Sequence, residues 1–328
     1  MTSAPVFSTA AESAPSVAPD LSPELELAFE SCAQIVRERA RNFYYGLRLT
    51  PEPRRSAIYA VYAWMREADD QVDDAGSTDQ KRARLAQFRE ATERLIRGEH
   101  LGPHQSDPTW IAFGATVRRY AISPAELRHM IDGQARDIDI ESAQVGHPDR
   151  PDPMMATRDD LAAYCDCVAS TVGRVCIRIW GLRPGASWDR ALELAGIRGL
   201  AFQLTNILRD FAEDYDDGRV YLPASDFAAN TLTPQALRTW DDPKQCEAMV
   251  RAIAAWARAS YNESAPLDDM IDPPCFPALW AMTRIYSGLL TKIEQAPQRI
   301  VGDRRIRLSS AHKAAIALRA TIMARAHD

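Results

Sequence analysis

Two acidic clusters about 140 residues apart constrain this chain most: Arg66-Glu-Ala-Asp69-Asp70-Gln-Val-Asp73-Asp74 and Gln203-Leu-Thr-Asn206-Ile-Leu-Arg209-Asp210-Phe-Ala-Glu-Asp214. Both lie in helical patterns, so Asp69/Asp73, Asp70/Asp74 and Asp210/Asp214 stand four apart on one helix face. Like charges at that spacing repel by about 0.2–0.5 kcal/mol per pair. A solvated acidic face is one reading. The apolar stripe Ile58, Tyr62, Met65 runs on into Asp69, Val72 and Asp73, however, and Gln203, Asn206, Asp210 and Asp214 step by three, four and four between Phe202, Ile207 and Phe211. Unpaired burial of such groups costs several kcal/mol each. The pattern therefore predicts two polar rows facing inward, with ions or a ligand between them.

The helical period extends from Ser22 almost to the C-terminus, without a convincing alternating strand. Helices are expected near 23–40, 53–74, 79–97, 107–120, 124–138, 158–181, 188–215, 234–239, 243–262, 276–295 and 309–326, with capping boxes at Ser123/Glu126 and Thr157/Asp160. Gly, Pro and Asp mark the breaks. No composition shift or repeat divides the chain, which predicts one all-α domain over 22–328. Residues 1–21, rich in Ala, Ser and Pro, are expected to be a disordered tail.

A net charge of −6 with dispersed Lys and Arg excludes a nucleic-acid-binding stripe. Six cysteines without CxxC spacing argue against a zinc site or a disulfide scaffold and fit a reduced, cytoplasmic protein. There is no apolar run long enough to span a bilayer. An all-oxygen donor set without histidine suits Mg²⁺, which keeps waters and completes its shell with substrate phosphates. Arg66, Arg209 and Arg219 flank the clusters and offer bidentate contacts to phosphate oxygens; an i,i+4 pair with Glu213 is an equal reading for Arg209.

With these residues placed, the chain resembles the squalene/phytoene synthase family of head-to-head prenyl synthases over about residues 40 to 295. The segments that carry the likeness are Asn42-Phe43-Tyr44-Tyr45-Gly46, Ala60 to Asp73, Tyr164-Cys-Asp-Cys-Val168-Ala-Ser-Thr-Val172-Gly173, Gln203 to Asp214, and Gly218-Arg219-Val-Tyr221-Leu-Pro223. The resemblance implies an isoprenoid-synthase helical bundle around a central cavity for two prenyl diphosphates. It implies Mg²⁺ bound by Asp69, Asp73, Asn206, Asp210 and Asp214, with Asn42, Phe43, Arg66, Gln203, Arg209, Arg219 and Tyr221 near the diphosphates. Tyr62, Tyr164 and Tyr286 match positions near the reacting or phosphate ends, and Asp137 matches a further cavity aspartate. Farnesyl diphosphate is slightly favoured, giving presqualene diphosphate or a squalene-type product; geranylgeranyl diphosphate, giving phytoene, is the alternative. NADPH is compatible but not indicated by any glycine-rich motif. A terpene cyclase, a di-iron bundle and a non-catalytic relative fit less well.

Asn42 stands where the family commonly has serine, Gln134-Ala135-Arg136 precedes Asp137 where apolar residues are usual, and Ser170 replaces a frequent glycine, which is expected to narrow the cavity. Four arginines between Arg299 and Arg307 are a solvated loop, a lid over phosphate, or a contact to anionic lipid at a membrane surface. The protein is expected to be a monomer.

Overall fold

The computed structural model describes residues 21–40, 44, 46–143 and 151–325, apart from the side chains of Glu141 and Ala143. Asn42, Phe43, Tyr45 and all of the expected tail except Leu21 lie outside the described residues. The described chain is built of helices with no strand. These are α1 (Pro23–Arg39), α2 (Arg54–Asp73), α3 (Thr78–Arg97), α4 (Pro108–Arg119), α5 (Pro124–Ala143), α6 (Arg158–Cys165), α7 (Thr171–Trp180), α8 (Trp188–Asp216), α9 (Ala224–Ala229), α10 (Pro234–Thr239), α11 (Pro243–Glu263), α12 (Phe276–Gln295) and α13 (Ser310–Arg325).

Local sequence sets most of the ends. Ser22, Asp107, Ser187, Thr233 and Asp242 each accept a backbone N–H from the first turn that follows, which satisfies donors that the helix itself leaves free. The Thr157/Asp160 capping box forms in both directions, and a second one joins Ser77 and Gln80. At the other expected box the Ser123 hydroxyl accepts from the Ala125 N–H, while Glu126 is taken by Arg174. A charged hydrogen bond to a guanidinium outweighs a neutral one to a cap. The helix Ala224–Ala229 was not expected; it starts at Pro223, inside a stretch whose Gly, Pro and Asp content signals a loop.

The largest departure from the periodicity lies between α6 and α7. One continuous helix was expected over 158–181, but Asp166–Ser170 forms a π turn. The Thr171 hydroxyl donates to the Asp166 carbonyl at 2.7 Å, and Arg174 holds the Asp166 carboxylate at 2.9 and 3.0 Å. The turn lies directly against α8: a Cβ on Gly199 would sit 2.5 Å from the Ser170 Cα and 2.8 Å from its nitrogen. Only a residue without a side chain admits that approach. Ser170 is buried there, with its hydroxyl donating to the Gly196 carbonyl at 2.7 Å. It therefore does not narrow the cavity, contrary to expectation; Val168, Ala169 and Val172 face the cavity instead.

The 29-residue α8 runs through the middle of the molecule. Its first half packs into an apolar cluster shared with α1 to α5, and its second half into one shared with α11 to α13. In the first cluster Trp64 stacks on Phe113 at 4.5 Å. Between the halves Arg198, 3% exposed, bonds Ser264, Thr283 and Asp268. Among the described residues no helix is long and apolar enough to cross a membrane.

Gly199→Ala is expected to lower the unfolding free energy by about 1–3 kcal/mol, because a methyl forced against fixed backbone overpacks the contact. It should do so despite the helix propensity that alanine gains. Chemical denaturation checks this.

Candidate active site

A cavity of about 1150 Å³ lies between α2, the π turn with α7, α8 and α12. Along α2 its wall runs Ile58, Val61, Tyr62, Met65, Arg66, Asp69; along α8 it runs Ala195, Gly199, Phe202, Gln203, Asn206, Arg209. Both helices thus pass from apolar to polar in the same chain direction, over about 15–20 Å at 1.5 Å per residue. Trp180 and Leu279 line the apolar part, and Arg39, Arg305 and Arg307 join the polar part.

The carboxylates do not gather into a ring. Among the described residues no three acidic, histidine or cysteine side chains converge closely enough to hold a metal ion unaided. Each cluster is instead laced with arginine, since guanidinium is the nearest positive charge the chain itself supplies. Asp70 lies between Arg39, at 2.6 and 2.9 Å, and Arg66, at 2.8 Å. Arg66 also reaches Asp69 and Asp73 at 3.4 and 3.2 Å. Asp210 is gripped from both sides, by Arg209 at 2.7 and 2.5 Å and by Arg305 at 2.7 and 2.6 Å. Burial works to raise its pKa, but the two guanidiniums outweigh it and hold Asp210 below the usual carboxylate range. The expected Arg209–Glu213 pair is not formed; Glu213 lies 3.7 Å from Arg305.

Asp69 and Asp214 are not neutralised in this way. Burial pushes each up to about 7, with Arg66 and Arg219 respectively only partly opposing it. The Asn206 side-chain oxygen is buried with no partner, as are the Nε groups of Arg66 and Arg219. An all-oxygen set short of positive charge and with an orphaned carbonyl fits a divalent cation of the magnesium type. The orphaned guanidinium nitrogens fit an anion.

Asp73 departs from the inward direction expected of it. It is the last residue of α2, and its side chain is 56% exposed because the chain turns away at Asp74. Of the other expected residues, Tyr62, Arg66, Gln203, Asn206, Arg209 and Tyr286 line the cavity with Asp69. Asp137, Tyr164, Arg219 and Tyr221 do not; they form a network beside it. The Tyr164 hydroxyl donates to Asp137 at 2.9 Å, and its ring stacks on Tyr221 at 5.3 Å. Burial, relieved in part by that hydrogen bond, brings Asp137 to about 6. Arg219 lies in the fields of both Asp137 and Asp214, which links this network to the second acidic cluster. Tyr286 is buried against Phe202 at 4.9 Å, and burial raises its hydroxyl to about 12.

Sequence patterning missed two kinds of residue. Gln134 donates to Asp69 at 2.7 Å, one helix turn before Asp137 on the same face of α5. Arg39 and Arg305 reach the clusters from 31 and 95 residues away. The arginine run at 299–307 was the only signal for Arg305, and nothing local marked Arg39.

An all-α bundle whose cavity grades from an apolar floor to an acidic, arginine-laced mouth defines a helical isoprenoid synthase, a prenyltransferase by class. The squalene/phytoene synthase model matches residues 36–312, and the chain belongs to that family, which performs head-to-head prenyl condensation. It is 33% identical over 297 residues to a phytoene synthase of Mycobacterium tuberculosis, covering 90% of each chain. It is 31% identical to the 15-cis-phytoene synthase of Synechococcus elongatus, covering 83% of this chain and 85% of that one. Among solved structures it is similar to a dehydrosqualene synthase, with TM-score 0.75 and 27% identity over 92% of this chain and 98% of that one. Its fold is also that of the squalene synthase HpnC from Alicyclobacillus acidocaldarius, with TM-score 0.70 and 24% identity over 84% and 96%.

Asp69, Asp137, Asp214 and Glu67 all titrate higher in the fold than their ordinary values of 3.8 to 4.5. The fold therefore favours their protonated forms, and the stability this contributes is lost as pH rises through about 6 to 7. Without added divalent metal, the thermal midpoint is expected to fall between about pH 5 and pH 8. Added Mg²⁺ should raise it more at the higher pH. Differential scanning fluorimetry reads both.

Proposed function

We propose that this protein carries out a Mg²⁺-dependent head-to-head condensation of two geranylgeranyl diphosphates, giving a phytoene-type C40 hydrocarbon. The observation that carries the choice is the alignment with phytoene synthases over nine-tenths of the chain. The preference for farnesyl diphosphate, drawn from Tyr44-Tyr45-Gly46 and Gly218 to Pro223, gives way to it. A cavity of about 1150 Å³ also exceeds the 300–1,000 Å³ typical of a pocket for one small ligand, which supports room for two long chains. The dehydrosqualene synthase likeness favours farnesyl diphosphate as the second reading.

In this reading Asp69, Asp73, Asn206, Asp210 and Asp214 hold the metal ions. Bound Mg²⁺ supplies Lewis acidity that stabilises charge on the departing diphosphate. Arg66, Arg209 and Arg219 bind its oxygens through the fork geometry of guanidinium, with Gln203 and Tyr221 as neutral donors; Asn42 and Phe43 are assigned here by resemblance alone. The allylic cation left behind is attacked by the double bond of the second substrate, and proton loss closes the cyclopropyl intermediate; departure of its remaining diphosphate, rearrangement and loss of a second proton then give the linear hydrocarbon. Ile58, Val61, Val172 and Leu279 exclude water from that cation. The ring faces of Tyr62 and Tyr286 stabilise it by about 0.5–2 kcal/mol each. Asp137, with Tyr164 donating to it, offers a place to hold a proton beside the acidic end.

Purified protein with Mg²⁺ and each diphosphate, with and without NADPH, tests this: a C40 product from the C20 substrate is expected. A C30 product from farnesyl diphosphate alone establishes the second reading, and turnover of neither overturns both. Asp69→Asn or Asp210→Asn should reduce turnover by about 10²-fold or more with the helical circular dichroism unchanged. Gln134→Leu frees Asp69 from its one amide donor and should weaken the activating Mg²⁺ by about 10–100-fold, the range for losing a group that orients a metal ligand.

A further inference from the structure

One wall of the cavity is a stripe that runs away from the acidic end. Val168, Val172, Cys176 and Trp180 stand four apart through the π turn and α7, and all four line the cavity. Tyr164, four residues earlier, is bonded to Asp137 beside the acidic side. The stripe therefore descends from that side to Trp180, the last residue of α7, over about 15–20 Å at 1.5 Å per residue. On α2 the cavity wall begins at Ile58, and Arg54, one turn before it, lies under the same end. A Cβ on Gly181 would sit 3.5 Å from the Arg54 guanidinium. Gly181 stops α7 there at φ +77°, where any side chain would be strained.

Trp180 is fixed in one orientation and backed by hydrogen-bonded chain. Its indole N–H donates to the Thr50 hydroxyl at 3.1 Å, and the two residues are 2% and 1% exposed. Turning the ring away would leave a buried donor unpaired, so the bond selects a single placement. Behind the ring the Gly181 carbonyl accepts from the Asp272 N–H at 3.1 Å, and the Arg183 N–H donates to the Met270 carbonyl at 2.9 Å. Arg54 pairs with Asp272 and reaches the Cys275 sulfur at 3.4 Å. These contacts tie the end of α7 to the segment that leads into α12. We propose that Trp180 is the floor of the cavity and sets the longest prenyl chain that binds, with Thr50 as the residue that positions it. A close-packed ring held from behind cannot yield to an extra five-carbon unit without distorting its neighbours. That the ligand is a prenyl diphosphate rests on the proposed function; the closed apolar end rests on the contacts alone.

Titration calorimetry of the full chain with Mg²⁺ and thiolo-diphosphate analogues of farnesyl, geranylgeranyl and geranylfarnesyl diphosphate, which do not ionise, tests this without turnover. The unaltered protein is expected to bind the C20 analogue and to hold the C25 analogue about tenfold or more weakly, the fold-change that overpacking a fixed site produces. Trp180→Leu should remove most of that difference. Trp180→Phe, which keeps most of the ring but has no N–H, should move the ratio the same way by less. Thr50→Val takes away the acceptor and should loosen the discrimination, whereas Thr50→Ser should keep it; this pair carries the test if Trp180→Leu does not fold. Equal binding of the C20 and C25 analogues by the unaltered protein overturns the floor and leaves the proposed function standing. So do Trp180 and Thr50 variants that lower the thermal midpoint with the C25 to C20 ratio unchanged, since the indole is then only structural. Rejection of the C20 analogue in favour of the C15 one, reversed by Trp180→Leu, upholds the floor and overturns the geranylgeranyl reading. Binding of no analogue overturns both.

Discussion

Negative charge is concentrated where the backbone already opposes it. The carboxylates of the first cluster sit in the last turns of α2 and those of the second in the last turns of α8, with no basic residue in either final turn. A helix C-terminus carries the negative end of the macrodipole, so each aspartate there meets both its neighbours and the helix. The arrangement persists because cations arrive from elsewhere in the chain: Arg39 from α1 and Arg305 from the segment before α13. Where two guanidiniums grip the carboxylate, as at Asp210, it stays ionised; where one only partly offsets burial, as Arg66 does at Asp69 and Arg219 at Asp214, protonation becomes easier. That uneven neutralisation leaves Asp69 and Asp214 short of positive charge.

The apolar half of the cavity depends on a different constraint, the distance between two backbones. Gly199 lets α8 touch the π turn, and the turn re-aims Val168 and Ala169 into the cavity while Ser170 bonds to Gly196. Asp166 and Arg174 hold the turn from outside. A π turn inserts a residue into the helical ladder and changes which side chains face a neighbour, so the cavity wall here is set by backbone geometry as much as by side-chain size. With Arg198 tied to Ser264 and Thr283 further up the same face, α8 serves as the fixed wall against which α2 and α12 close.

The two halves are joined by residues that touch both. Tyr62 and Tyr286 line the cavity, and the Tyr286 ring lies against Phe202 while its hydroxyl meets Arg209 and Asn206. Asp137, Tyr164 and Tyr221 stand behind the acidic side, connected to it through Arg219. A prenyl diphosphate has the same division, with a hydrocarbon chain that water must not reach and a headgroup that must be met by positive charge.

Helical period, caps and break residues were legible in the sequence because they are local: a Ser, Thr or Asp before an apolar stripe closes a helix start wherever it occurs. The inward direction of Asp69, Gln203 and Asn206 was legible for the same reason, since it follows from the phase of one helix. Asp73 was misjudged because phase says nothing about where a helix stops. The π turn, the burial of Ser170, the Gln134 contact to Asp69 and the grip of Arg305 on Asp210 depend on segments brought together over 26 to 95 residues of chain. The sequence by itself thus determined an all-α bundle carrying two inward acidic rows, since period and spacing act within a few residues. Only the tertiary structure decided which charges neutralise them and what shape of cavity they close, since both are set by distances between helices that no local pattern encodes.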